Sequence, residues 1–74
     1  MKAYVLIDAE VGSIPHVQKE LLALPEVKVA DVVTGPYDVI AVVESEDPSV
    51  MSNLITSKIH QIEGVVATMT CMVM

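Results

Sequence analysis

Two kinds of hydrophobic spacing take turns along the chain. Residues 3–9 (Ala-Tyr-Val-Leu-Ile-Asp-Ala) form a continuous β-rich apolar run, which predicts a strand rather than an amphipathic helix. Gly12-Ser13 breaks that run; Ser13 is a good helix cap, and Pro15 sits in the first turn, where a missing N–H costs little. Ile14, Val17, Leu21 and Leu24 then recur at helical spacing, with Gln18, Lys19 and Glu20 turned to water, until Pro25 ends the helix. Residues 27–34 predict a second strand and residues 37–44 a third, joined through the Gly35-Pro36 turn as a short hairpin. Asp47-Pro48 is a cap followed by a first-turn proline. It opens a second helix whose stripe of Met51, Leu54, Ile55, Lys58, Ile59 and Ile62 leads to Gly64 at the C′ position. Residues 65–73 predict the fourth strand.

The order β-α-β-β-α-β, with right-handed crossovers, gives an α+β, ferredoxin-like domain over residues 1–74, built on a four-stranded antiparallel sheet. A sheet with one wet face alternates apolar and polar residues, and these strands do not. In the first strand Ala3, Val5 and Ile7 oppose Tyr4 and Leu6; in the third, Val39, Ala41 and Val43 oppose Ile40 and Val42. Two helices cover only one face. Strand spacing and rise put the other at roughly 400 Å², and leaving it wet would forfeit about 10 kcal/mol per chain. The pattern therefore predicts a homodimer packed through its sheet faces, as an α/β sandwich or barrel.

Composition sharpens this expectation. Hydrophobic residues make up 53% of the 74, with no Phe or Trp, so the core is Val, Ile, Leu, Met and Ala. Cys71 is the only cysteine, which excludes an intrachain disulfide and leaves association as the way to stabilise so small a core. A net charge of −6 argues against direct nucleic-acid binding, which needs clustered Lys and Arg. No secretory signal or membrane-length apolar run occurs, so no membrane partner is expected and the chain reads as cytoplasmic.

Little in the chain suggests catalysis. His16 reads as a solvated helix residue, His60 as favoured by a helix terminus, and Cys71 as a small hydrophobe in a strand. No CxxC, GxGxxG, Walker or HExxH motif is present, so neither a metal nor a cofactor is expected. The segment Thr34-Gly35-Pro36-Tyr37-Asp38 is more suggestive. Gly35 leaves its amide approachable, Pro36 stiffens the loop, Tyr37 offers a ring with a polar tip, and Asp38 a carboxylate at a strand start. A zwitterionic amino acid needs N–H donors for its carboxylate and an anion for its ammonium, and this loop has both. A Gly-Pro hairpin with a capping Asp is also an ordinary turn.

The run from Val32 through Gly35-Pro36-Tyr37-Asp38 to Val43 resembles the signature hairpin of the effector-sensing (RAM) domain in the Lrp/AsnC family of regulators. The stretch Ile59-His60-Gln61-Ile62-Glu63-Gly64-Val65-Val66-Ala67-Thr68-Met69-Thr70 resembles the same domain's second helix, following turn and last strand. The resemblance covers essentially the whole chain. It implies a non-enzymatic amino-acid-binding module associated with transcriptional regulation, in face-packed dimers assembled into octamers or similar rings. By position, it implies that Gly35, Tyr37 and Asp38 hold the effector, with Asp38 meeting its ammonium, Val32 nearby, and Thr68 and Thr70 approaching across an interface. Family members usually carry an N-terminal helix-turn-helix domain, whereas this chain begins at the first sensing strand. That suggests a stand-alone form or a fragment, with full-length relatives as further partners. Two other readings share the architecture: a small dimeric α/β-barrel monooxygenase or isomerase, for which Asp8 or Tyr4 would be the polar group, and an oligomerisation adaptor that binds no ligand.

Overall fold

The computed structural model describes all 74 residues. Strand β1 (Lys2–Ala9) leads through a 3-10 turn, Val11–Ser13, into helix α1 (Ile14–Leu22). Strands β2 (Val27–Val32) and β3 (Val39–Glu44) follow, then helix α2 (Pro48–Asn53), a π-helical continuation over Leu54–Ile59, and strand β4 (Val65–Met72). All neighbouring strands are antiparallel, in the order β2-β3-β1-β4. This is the expected ferredoxin-like topology.

Helix starts follow the local chemistry unevenly. Asp47 caps α2 as its residue type predicts, its carboxylate accepting from Ser49 N–H at 2.8 Å. Ser13 occupies the N-cap of α1 but makes no side-chain cap bond. The predicted single α-helix over the second stripe is corrected. From Leu54 the turn widens, and the buried residues become Leu54 and Ile59, five apart, rather than neighbours at three or four. Gly64 consequently lies beyond a helix that ends near His60, in the turn before β4, with φ of 100°. A Cβ there would overlap the Ser13 side chain, and Gly64 O accepts from Glu10 N–H at 2.9 Å. The positive φ and the close approach of the Ser13 side chain require this glycine.

The hairpin between β2 and β3 is also longer than predicted. The strands end at Val32 and resume at Val39, leaving residues 33–38 as a loop closed by Val33 N–H donating to Asp38 O at 2.9 Å. The helices pack on one parity of the strands. Val5, Ile7, Val39, Ala41 and Val43 are buried beneath Val17, Leu21, Leu54 and Ile59. On the opposite face Leu6, Ile40 and Val42 stay half-buried, while Tyr4, Val29 and Met69 are exposed. The predicted apolar second face is present and open.

Candidate functional site

Loop 33–38 turns back over that open face. With Leu6 and Ile40 from the sheet it walls a concavity of about 330 Å³, lined otherwise by Val33, Thr34, Gly35, Pro36 and Tyr37. Gly35 adopts a φ of 156° with open space where a Cβ would stand. Tyr37 fastens the loop to the far side of the sheet: its hydroxyl donates to Met69 Sδ of β4 at 3.6 Å.

Asp38 follows Tyr37 at the end of this loop and is not itself among the lining residues. Its main-chain N–H donates to Ile7 O at 2.9 Å, and its carboxylate Oδ2 accepts from Ala9 N–H at 2.9 Å. The Asp38 side chain therefore already has a structural task, holding the end of β1. Asp8 points to the same side. A hydrogen bond to the Asp38 side chain, then partial desolvation, then the Asp38 charge raise the Asp8 carboxyl above its ordinary value of 3.8. Two carboxyls so close make it costlier to ionise both. That arrangement can attract an ammonium group, with the apolar concavity alongside for a side chain.

The remaining candidate residues lie elsewhere in this chain. Val32 pairs with Val39 on the helix side, at the outer edge of β2, where it is half exposed. Thr68 pairs with Ile7 and Thr70 with Val5, so both also face the helix side of β4. Thr68 Oγ1 hydrogen-bonds His60 Nε2 at 2.6 Å, which gives the histidine a partner in addition to its helix-terminal position. Thr70 lines a separate groove of about 250 Å³ between β4 and the second helix, with Met51, Ile55 and Met72 among its walls. Gly35 and Tyr37 thus line one concavity, with Asp38 the next residue along the chain; Val32, Thr68 and Thr70 lie apart from it. The residue that sequence reasoning missed there is Asp8. Its parity matches that of Leu6, and the 33–38 turn brings Asp38 back to the same end of the sheet.

Of the polar groups weighed for a barrel enzyme, Asp8 is engaged with Asp38, and Tyr4 is exposed with Lys2 Nζ 5.3 Å from its ring centroid. No three His, Cys, Asp or Glu side chains converge as metal ligands, and no helix is long and apolar enough to cross a membrane.

Comparison with known proteins agrees with the topology. An HTH-type transcriptional regulator of Pyrococcus abyssi is 37% identical over 68 residues, a match covering 92% of this chain and 43% of the regulator. The chain spans under half the length of the curated relatives it matches. The crystal structure of FFRP-DM1 superposes with a TM-score of 0.94 at 36% identity, covering 99% of this chain and 97% of that one. A more distant structure, the transcriptional regulator NMB0573/L-Met complex from Neisseria meningitidis, shares the fold at a TM-score of 0.88. It is 16% identical and covers 99% of this chain and 50% of that one. Residues 2–74 match the family described as the Lrp/AsnC ligand binding domain, and over all but its first residue this chain belongs to that family.

Proposed function

We propose that this chain is a non-enzymatic sensing module for an amino acid, bound beneath loop 33–38 and serving transcriptional regulation. The observation that carries the reading is an apolar concavity whose lining runs to Tyr37, with the Asp38 carboxyl on the next residue and Asp8 interacting with it. An ammonium group would offset the repulsion between the two carboxyls, and Gly35 would offer backbone to the ligand carboxylate. The Neisseria meningitidis regulator of this fold was solved with L-methionine, which supports a ligand of the same class. Dimers packed through the open sheet face, assembled further into octamers or similar rings, would cover Leu6, Ile40 and Val42 and roof the concavity. Neighbouring chains would then bring Val32, Thr68 and Thr70 towards it. Full-length Lrp/AsnC regulators are the corresponding hetero-partners.

A thermal-shift panel of the common amino acids at millimolar concentration tests the reading. At least one should raise the melting temperature, by about 2.7 kcal/mol of added stability at a hundredfold excess over Kd. Asp38→Asn keeps an acceptor for Ala9 N–H but loses the charge, so it should fold and lose the response. A panel with no shift in the parent would overturn the proposal.

A further inference from the structure

A single hydrogen bond holds the tip of loop 33–38. The base of the loop is fixed, since Val33 N–H donates to Asp38 O and Asp38 N–H to Ile7 O, both at 2.9 Å. Between those two points, residues 34–37 make no backbone hydrogen bond, and Thr34, Gly35 and Pro36 are exposed. The one bond from the tip to the rest of the fold runs from the Tyr37 hydroxyl to Met69 Sδ. Its direction matters. Ile40 of β3, Leu6 of β1 and Met69 of β4 form one cross-strand row on the open face. Tyr37 lies just before β3 and its hydroxyl ends on β4, with β1 between them in the sheet. Its side chain therefore spans β1, and it lines the same concavity as Leu6.

We infer that the Tyr37–Met69 bond is a latch. It sets the fraction of time that the loop tip lies over the concavity, and it makes Met69 a positioning residue for a molecule bound there. A thioether suits the task. Its sulfur is a weak acceptor on a flexible, unbranched side chain, so it holds the tip without locking it. An amide oxygen at position 69 would hold the tip more tightly, and an aliphatic side chain would offer it no acceptor at all. Lifting the tip breaks no other hydrogen bond, because the Thr34, Gly35 and Tyr37 amides have no backbone acceptor to lose. Removing the one bond should therefore raise the opening equilibrium by about threefold to tenfold. That the occupant is an amino acid rests on the function proposed above; the opening of the loop does not.

Fluorescence quenching tests the latch. Tyr4→Phe leaves Tyr37 as the only tyrosine in a chain without tryptophan, so the emission reports this side chain alone. In that background Met69→Leu removes the acceptor at similar volume. Acrylamide should then quench Tyr37 more strongly than before, by about twofold or more. Met69→Gln, which supplies an amide oxygen, should return the quenching to the starting level or below it. Met72→Leu, opposite Ala3 on the helix side of the same strand, should leave it unchanged. Nitrogen-15 relaxation adds a second readout in the otherwise unaltered chain. The Gly35 amide should become more mobile in Tyr37→Phe and in Met69→Leu, and no more mobile in the double variant than in either alone. An amino-acid panel without any thermal shift would sink the binding reading alone, because neither measurement needs a ligand. Quenching unchanged by Met69→Leu, or raised as much by Met69→Gln or Met72→Leu, overturns the latch, as does additive loosening of Gly35 in the double variant.

Discussion

The two edges of this sheet solve the same problem in opposite ways. At β2 the outer strand is short, buried on its helix side through Val27 and Ala30, and backed by α1, whose Gln18 reaches across to the Ala30 carbonyl. At β4 the outer strand is longer, and no residue from Val65 to Met74 is fully buried. Helix α1 packs on β2 and β3, whereas an open groove lies between the second helix and β4. An edge that is packed and charged serves the single chain. An edge that is bare and neutral is costly to the single chain and makes sense in an assembly.

Breaking the packed side should have the largest effect. Leu21→Ala removes a fully buried α1 side chain and should cost about 2–5 kcal/mol, read from chemical denaturation. Met72→Ala, on the projecting strand, should change the stability of the isolated chain by under about 0.5 kcal/mol. Equal losses at the two positions would erase the contrast. Next comes the point where β4 is tied to the rest of the fold. Gly64→Ala drives a methyl into Ser13 at a φ of 100° and should cost about 1–3 kcal/mol in the same assay.

The smallest effect lies between the edges, at the carboxyl pair that joins β1 to β3. Folded Asp8 holds its proton to higher pH than an unfolded aspartate does. Its contribution is therefore favourable at low pH and is lost as pH rises through its raised pKa. Asp8→Asn removes the titration. Its melting temperature should exceed the parent's near neutral pH, and the gap should close as pH falls toward 3.8, the ordinary carboxylate value. A gap independent of pH would show that Asp38 does not raise the Asp8 carboxyl.

Different physical causes made some features legible in advance and hid others. Asp47-Pro48 announced a helix start because capping is local, and the Asp47–Ser49 bond bears that out. The parity of β1 and β3 marked both sheet faces as apolar, because pleating forces alternate residues to opposite sides. Periodicity could not reveal the π-helical turn at Leu54–Ile59, since both windings begin from the same apolar residues and packing on the sheet chooses between them. Nor could it show that Thr68 already bonds His60, or that Asp38 Oδ2 is used by Ala9 N–H, because both contacts join segments brought together by folding.

By itself, then, the sequence determined the order of strands and helices, the ferredoxin-like topology and the presence of a second apolar face, all of which follow from local spacing. It also placed Gly35, Tyr37 and Asp38 together, because they are neighbours in one loop. Tertiary structure alone decided that Asp8 meets Asp38, that the loop closes over the open face onto Met69, and that β4 rather than β2 carries the unprotected edge. The reason is register. Which residues meet across a ladder, and which amides point outward, depends on how strands distant in sequence align, and no single strand encodes that alignment.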